Sequence, residues 1–271
     1  MRVHADTLRQ RVRNQDLLVF GGIVDSRSGA AVEMYHDAGY DVLLLDREHT
    51  ALSSETILEH IRVARALALP VMVRVAEDSY HELNRTLDQG PDGIFVPRIR
   101  SRAQVEEVVR TVSYPPRGVR GVAGSTCPAG KYAGWGSLPE QIATISENLV
   151  IGIQIETREA MEQLGDVLSV PGVDMAVIGC DDLTVALGAP GDVTSAAFRD
   201  AGEQVIAACR RHGVLPGIAL GDPRLAADWV ARGMRVLWYA SDITLMWSAA
   251  VQQLQRLREQ MGPAPAAGGK A

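Results

Sequence analysis

The sequence has few of the features that mark membrane, disulfide-linked or nucleic-acid-binding proteins. No apolar stretch among its 271 residues approaches the ~20 residues that a membrane-spanning helix requires. Its three cysteines, Cys127, Cys180 and Cys209, lie far apart, so neither a disulfide framework nor a thiolate zinc site is predicted. The formal net charge of -6 disfavours general nucleic-acid binding, which requires a basic face.

Lysine is also scarce. Only Lys131 and Lys270 are present, against 27 basic residues in all, so any Schiff-base lysine must be one of these two. Lys270 lies in the segment GPAPAAGGKA, and we expect a flexible tail over residues 261–271. The first residues, MRVHADTLRQRVRNQD, are charged and lack the apolar core of a secretory signal, so we expect a cytoplasmic protein.

What the sequence does contain is a regular alternation of apolar runs and helical patterns. The apolar runs are LLVFGGIV (17–24), DVLLL (41–45), PVMVRV (70–75), GIFVP (93–97), LVIGIQI (149–155), DMAVIG (174–179), VLPGIAL (214–220) and RVLWYA (235–240). The helical patterns between them include SSETILEHIRVARALAL, SRAQVEEVVRTV, TREAMEQLGDVL and DPRLAADWVARG. Continuous apolar strands that alternate with helices are typical of a parallel sheet buried on both faces.

Eight such units favour an α/β fold of the closed (β/α)8 TIM-barrel type, a single domain over residues 1–260 with an N-terminal helix. The alternative is an open doubly wound sheet. Such a sheet usually carries a Gly-rich phosphate turn after its first strand, and GGIVDSRSG matches that turn poorly. The longest irregular stretch, residues 114–140, is rich in Gly and Pro, and we expect it to form part of an active site or an interface.

Polar residues cluster where the predicted strands end. In a β/α barrel these ends meet at one rim, which carries the chemistry. The residues concerned are Asp46, Arg47, Glu48 and His49 after the second run, Arg74 in the third, Glu156 after the fifth, Cys180, Asp181 and Asp182 after the sixth, Asp222 after the seventh and Asp242 after the eighth. The sequence therefore predicts a functional site at this rim.

Two of these carboxylates indicate a metal site. Glu156 follows an apolar strand, where a charge is costly unless it is paired or binds a cation. With Asp182 it offers oxygen ligands of the kind that suit Mg²⁺ or Mn²⁺ better than zinc. The alternatives are a salt bridge from Glu156 to a rim arginine, and a helix N-cap formed by Asp181 or Asp182.

Three further residues indicate acid–base chemistry. His49 lies three residues after Asp46, and a carboxylate that orients an imidazole makes a general base near neutral pH. The alternative for His49 is an ordinary packed loop residue. Arg74 projects from a buried strand and is expected to meet a carboxylate of the protein or of a substrate.

These residues stand in motifs that resemble the HpcH/HpaI aldolase and citrate lyase superfamily, whose members are metal-dependent pyruvate aldolases on a β/α barrel. The motifs are LLLDREHT, PVMVRV, LDQGPDGIFVPRI, YPPRGVRGV, IQIETREAMEQL, VIGCDDLTVALG and PGIAL, and the resemblance extends from about residue 8 to 254. The resemblance implies that His49 is a general base oriented by Asp46. It implies that Arg74 holds the substrate oxygens, and that Glu156 and Asp182 bind a divalent metal, Mg²⁺ or Mn²⁺, with Co²⁺ as a further candidate.

The same resemblance implies that the loop formed by Cys180, Asp181 and Asp182 binds the carboxylate of pyruvate. It also implies a homo-oligomer, a hexamer built as a trimer of dimers, in which Asp88 reaches a neighbouring site. No nucleic-acid or membrane partner is implied.

The sequence departs from the family pattern around the expected pocket. Arg47 adds a cation beside the base and is a candidate to bind an acidic substrate. Asp181 adds a negative charge near the expected pyruvate carboxylate unless it caps its helix. Lys131 replaces the arginine that the long loop usually carries. We interpret these changes as altered acceptor specificity or a specialised biosynthetic reaction.

The favoured hypothesis is a class II aldolase, a carbon–carbon lyase. It would reversibly cleave a 4-hydroxy-2-oxo acid to pyruvate and an aldehyde through a metal-stabilised enolate. Four alternatives stay open: Schiff-base catalysis by Lys131, decarboxylation of oxaloacetate coupled to carbon–carbon bond formation, cleavage of a CoA thioester, and a non-catalytic barrel.

Overall fold

Eight parallel strands form a closed barrel in which each strand pairs with the next and the last pairs with the first. This computed structural model describes residues 7–129 and 136–261. The strands are β1 Leu18–Ile23, β2 Val42–Asp46, β3 Val71–Arg74, β4 Gly93–Val96, β5 Val150–Ile155, β6 Met175–Gly179, β7 Leu215–Ala219 and β8 Val236–Ser241. The predicted (β/α)8 barrel is confirmed, and each predicted strand lies within a residue or two of its observed bounds.

Helices lie between the strands and around the barrel. They are α1 Leu8–Arg13, α2 Gly29–Ala38, α3 Ser54–Ala66, α4 Tyr80–Asp88, α5 Arg102–Val112, α6 Leu138–Asn148, α7 Arg158–Glu162, α8 Leu164–Leu168, α9 Cys180–Ala186, α10 Ala196–His212, α11 Pro223–Arg232 and α12 Asp242–Met261. Ser53 caps α3 by accepting a hydrogen bond from the amide of Thr56, as a serine before a helix commonly does. The pattern TREAMEQLGDVL, predicted as one helical segment, is divided into α7 and α8 at Gln163, whose ψ of 22° is not helical.

Two apolar layers hold the barrel together. One fills its interior, where Phe20, Met72 and Phe95 pack with residues from the other strands and with Leu8 of α1. The other lies between the strands and the surrounding helices. A Cβ atom on Gly152 would lie 2.5 Å from the ring of Phe95, so only glycine allows this packing inside the barrel.

The last helix, α12, differs from the helices that pack on the barrel. None of its residues is buried, and four of the six residues of β8, the strand before it, are only partly buried. Its first residue is anchored, because the carboxylate of Asp242 accepts hydrogen bonds from the amides of Val24, Asp25 and Ser26 at 3.0, 3.2 and 2.7 Å. The rest of α12, residues 243–261, is exposed.

Every helix among the described residues is too short or too polar to cross a bilayer. The expected flexible tail, apart from Met261, lies outside the described residues, and so do residues 130–135 of the long loop, which include Lys131. Between Ser113 and Leu138 the described chain includes one short 3-10 turn, Gly124–Thr126.

Candidate active site

A cavity of about 690 Å³ opens at the carboxyl ends of the strands. Most of the residues predicted for the site line it, namely His49, Arg74, Glu156, Cys180, Asp181 and Asp182. They come from β2, β3, β5 and β6, or from the segments that follow these strands. The barrel therefore brings them together at the rim where β/α-barrel enzymes carry their chemistry.

Arg74 is the buried cation at the base of this cavity. Its Nε and Nη2 atoms donate to the two carboxylate oxygens of Asp46 at 2.7 and 2.6 Å. Its Nη1 atom lies 3.1 Å from a carboxylate oxygen of Glu48 and 3.5 Å from the side-chain oxygen of Gln154. The guanidinium also stacks over Trp238, 4.6 Å from the ring centroid. These contacts compensate for the burial of the charge, because bidentate pairs of arginine and carboxylate are strong.

The structure pairs His49 with a different carboxylate from the expected one. Both oxygens of Asp46 bond to Arg74, because these two residues are register partners on β2 and β3. The nearest carboxylate to His49 is Glu48, with 3.6 Å between Nε2 and Oε2. The His49 side chain is 65% exposed, so the imidazole is free to turn into the cavity.

Glu156 is buried directly after β5. Its Oε1 atom accepts a hydrogen bond from the backbone amide of Arg98 at 2.7 Å. Burial raises the pKa of the Glu156 carboxyl to about 7, and the neighbouring carboxylates of Glu48 and Asp182 add to this effect. A Cβ atom on Gly179 would lie 2.1 Å from Oε2 of Glu156, so the glycine at the end of β6 creates the space for this carboxylate.

A rim arginine forms a salt bridge with Asp182, and not with Glu156 as the alternative prediction had it. Nη1 of Arg98 donates to the Oδ2 atom of Asp182 at 3.2 Å, and both side chains are about half exposed. Arg98 has a φ of 54°, a left-handed conformation that is uncommon for a non-glycine residue. The N-cap of α9 is Gly179, so neither Asp181 nor Asp182 caps this helix.

The donor set fits a hard divalent cation. The carboxylates of Glu156 and Asp182 lie close enough for each charge to affect the other, and Oε2 of Glu48 is buried without a well-aligned hydrogen bond. Among the described residues, no cluster of three or more His, Cys, Asp or Glu side chains has the spacing of a complete metal cage. Two carboxylates with room for water and substrate oxygens match the open sites of Mg²⁺ and Mn²⁺.

Two predicted pocket residues lie outside the cavity. Arg47 pairs with Glu82 at 2.9 Å and donates to Thr86 at 3.2 Å, because the residue after Asp46 points to the opposite side of the strand. The expected second cation beside the base is therefore directed toward α4. Asp88 at the end of α4 contacts Arg120 at 3.4 Å, and its role in a neighbouring site stays a prediction.

The remaining two candidates differ in what the structure shows. Cys180 lines the cavity but is buried, and burial raises the pKa of its thiol to about 12, so it is not a thiolate near neutral pH. Lys131 lies outside the described residues.

Sequence reasoning assigned no role to four residues that contact the site: Glu48, Gln154, Trp238 and Arg98. A role for Gln154 could have been predicted, because it precedes Glu156 by two residues and its side chain therefore points to the same side of the chain. Glu48 stands inside the Asp-x-Glu-His motif. The left-handed backbone conformation of Arg98 could not be predicted from its residue type.

Comparison with known proteins agrees with this geometry. A sequence profile described as HpcH/HpaI aldolase/citrate lyase matches residues 23–249. A 4-hydroxy-2-oxo-heptane-1,7-dioate aldolase from Shigella sonnei is 31% identical over 223 residues, which cover 82% of this chain and 84% of the relative. A hydroxypyruvate/pyruvate aldolase from Delftia acidovorans is 32% identical over 231 residues, or 84% of each chain.

Solved structures show the same fold. The crystal structure of an HpcH/HpaI aldolase from Desulfitobacterium hafniense superposes with a TM-score of 0.89 and 27% identity, and covers 96% of this chain and 99% of its own. With the profile match over most of the sequence, these findings show that this chain belongs to the HpcH/HpaI aldolase/citrate lyase family.

Proposed function

We propose that this protein is a divalent-metal-dependent aldolase. It would reversibly cleave a 4-hydroxy-2-oxo acid to pyruvate and an aldehyde, through the enolate of pyruvate. The observation that carries the proposal is the buried carboxylate of Glu156, which shares one cavity with Asp182, Arg74 and His49. The two relatives described above are named as aldolases, which supports the same class of reaction.

Glu156 and Asp182 would hold the metal. Mg²⁺ and Mn²⁺ suit their oxygen ligands, and Co²⁺ is a further candidate. Bound there, the ion would supply positive charge for the negative charge that develops on the 2-oxo acid. Gly179 leaves space beside Oε2 of Glu156, and the amide of Arg98 fixes the position of Oε1.

Arg74 is arranged to bind a substrate oxygen without losing its position. Asp46 holds Nε and Nη2 by short hydrogen bonds, whereas Nη1 makes the longer contacts to Glu48 and Gln154. Nη1 can therefore donate to an oxygen in the cavity while the other two nitrogens stay bonded. Such a fixed donor stabilises oxygen charge in the transition state.

His49 would move the proton. In the cleavage direction its imidazole removes the proton of the substrate 4-hydroxyl group, and in the synthetic direction it returns that proton. Glu48 is the neighbouring carboxylate, with its Oε2 atom 3.6 Å from Nε2 of His49. The exposure of His49 allows direct contact with a substrate or contact through one water molecule.

The proposal is tested by proton NMR of pyruvate in D₂O. With Mg²⁺ or Mn²⁺ we expect the methyl protons to exchange, and we expect exchange to stop with excess EDTA and in Glu156→Gln. Glu159→Gln is the matched control, because Glu159 is exposed on α7 and does not line the cavity.

Exchange that persists through EDTA and Glu156→Gln would contradict the metal-dependent mechanism. Borohydride trapping of pyruvate on Lys131 would then identify a Schiff base. No exchange under any condition would contradict pyruvate enolisation itself.

We also propose that the protein is a homo-oligomer and that copies associate through α12. Its apolar residues Ile243, Trp247, Ala250, Leu254, Leu257 and Met261 recur at spacings of four and three residues, as in a heptad stripe. Trp247, Leu254, Leu257 and Met261 are 71%, 47%, 53% and 72% exposed in the single chain. A stripe of this kind on a long helix is self-complementary, so a second copy of the chain is the occupant that it fits. The resemblance extends this to a hexamer.

A further inference from the structure

We infer that the second substrate, the aldehyde that joins pyruvate, is uncharged and hydroxylated rather than an aldehyde that carries a carboxylate. This inference rests on the proposed aldolase function and specifies its acceptor. It concerns the part of the cavity lining that follows β7 or belongs to β8 and α12, here called the acceptor wall. Leu220 and Gly221 after β7, Trp238 and Ser241 of β8, and residues of α12 form this wall.

Among the described residues, the acceptor wall provides no cation for a carboxylate. Arg74 is the one arginine among the described residues that line the cavity, and no lysine is among them. Two nitrogens of its guanidinium bond to Asp46, and the third, Nη1, is the donor proposed above for an oxygen at the reacting centre. A carboxylate enclosed in this cavity would lose hydration without gaining an ion pair, which is unfavourable.

The two other arginines near the site are committed elsewhere. Arg47 pairs with Glu82 on the outer side of β2, and Arg98 pairs with Asp182. The further charged residue on the cavity wall is Asp181. It is exposed, and its carboxylate has no hydrogen-bond or ion-pair partner among the described residues. It therefore offers no attraction for a second carboxylate in the same cavity, in addition to that of pyruvate.

Hydroxyl groups, by contrast, have partners on this wall. Thr244, Ser248 and Gln252 follow one another at intervals of four residues, so they share one face of α12, and all three line the cavity. Thr244 is bonded to Ser241, whereas the side chains of Ser248 and Gln252 have no hydrogen-bond partner within the described part of the chain. A serine hydroxyl and a glutamine amide both donate and accept, which matches the hydroxyl groups of a sugar-like aldehyde.

This polar stripe is separate from the proposed interface between copies. At about 100° per residue, Ser248 and Gln252 lie on the opposite side of α12 from Leu254 and Leu257. Association through the apolar stripe would therefore leave the polar stripe directed at the cavity.

The reaction with such an acceptor is balanced without a further reagent. The methyl carbon of pyruvate loses a proton and forms a bond to the carbonyl carbon of the aldehyde. The aldehyde oxygen gains a proton and becomes the 4-hydroxyl group of the product. No oxidant, reductant or group donor is consumed.

The test compares three four-carbon aldehydes with the Mg²⁺-loaded enzyme and pyruvate: erythrose, which is hydroxylated, butanal, which is apolar, and succinic semialdehyde, which carries a carboxylate. We expect kcat/KM for erythrose to exceed the values for the other two by about tenfold or more, since sites that bond hydroxyl groups discriminate strongly. Equal or faster reaction of succinic semialdehyde would overturn the inference.

Substitutions in α12 test whether its polar residues bind the acceptor aldehyde. We expect Ser248→Ala and Gln252→Ala to raise KM for erythrose more than for butanal, and Gln252→Arg to raise kcat/KM for succinic semialdehyde. Gln253→Ala is the matched control, because Gln253 is exposed on the same helix and does not line the cavity. If Ser248→Ala and Gln252→Ala behave like this control, the polar stripe does not bind the acceptor.

Methyl-proton exchange of pyruvate distinguishes a failure of the proposed function from a failure of the acceptor inference. Absence of exchange in the wild-type protein contradicts the proposed function. Exchange together with a preference for the carboxylated aldehyde contradicts this inference and leaves the proposed function standing.

Discussion

At the residue scale, the buried guanidinium of Arg74 decides which side chains remain available for chemistry. It donates hydrogen bonds to both carboxylate oxygens of Asp46 and pairs with Glu48. Asp46 therefore positions the arginine. His49 is left exposed beside Glu48, with its ring at the cavity. The site thus contains a fixed cation, an exposed imidazole and the carboxylates that we propose bind a metal.

His49→Ala tests the base. Because a positioned general base contributes ~10²–10⁴-fold, we expect kcat for aldol cleavage to fall by about that factor. The side chain is 65% exposed, so the thermal unfolding midpoint should change little. Steady-state kinetics and calorimetry measure the two effects. His212→Ala is the control, because His212 is exposed in the last turn of α10, away from the cavity. A full rate in His49→Ala would contradict the assignment.

Arg98→Gln tests whether a guanidinium competes with the metal for Asp182. Exposed ion pairs are worth about 0.2–1 kcal/mol, so removing this one should tighten Mn²⁺ binding by roughly two- to fivefold. Isothermal titration measures the dissociation constant directly. Arg102→Gln is matched, because Arg102 forms an equally exposed pair with Glu106. Weaker binding in Arg98→Gln would show that the side chain supports the metal instead.

At the scale of elements, the ends of neighbouring strands set the position of the carboxylate that we propose as a metal ligand. β5 delivers Glu156, and β6 ends at Gly179, which allows the carboxylate to lie against its backbone. The strands themselves could be predicted from the sequence, because continuous apolar runs of this length are typical of strands buried on both faces of a parallel sheet. The division between α7 and α8 could not, since the helical pattern continues through Gln163.

Gly179→Ala tests this close approach. The new Cβ atom would lie 2.1 Å from Oε2 of Glu156 and 2.7 Å from Nε2 of Gln154. The carboxylate must therefore shift, and we expect Mn²⁺ affinity to fall by about 10- to 100-fold, the range seen when groups that orient metal ligands are changed. Titration calorimetry gives the affinity. In the control Gly165→Ala, no atom lies within 4 Å of the added Cβ atom, so binding should be unchanged. Unaltered affinity in Gly179→Ala would argue against Glu156 as a ligand.

At the scale of the whole molecule, α12 has two different faces. One carries the polar stripe that borders the cavity, and the other carries the exposed apolar stripe. β8 beneath it is only partly buried, unlike the strands on the far side of the barrel. Association between copies would cover this apolar surface and bring a neighbouring copy into contact with α12. Acceptor binding and assembly would then depend on the same helix.

Leu254→Glu tests the assembly. A charge in the middle of the apolar stripe should be costly to bury, so we expect dissociation toward the 29.2 kDa monomer. Light scattering after size-exclusion chromatography measures the mass. Gln253→Glu adds the same charge one residue earlier, outside the apolar stripe, and should leave the oligomer intact. A monomeric wild-type protein, or an oligomer that survives Leu254→Glu, would contradict association through this stripe.

The sequence by itself determined the barrel and the set of residues at its rim. Apolar runs and helical patterns fix where strands end, and in a parallel barrel all of those ends meet at one rim. Glu156 and Asp182 could therefore be placed near each other, although they come from separate strand ends.

Only the tertiary structure decided how the charges pair. The pairs of Asp46 with Arg74 and of Arg98 with Asp182 depend on strand register and on the direction of each side chain. Arg47 points to α4 for the same reason. Local sequence does not contain this information, because the energy of each ion pair depends on distances between segments that meet only in the folded barrel.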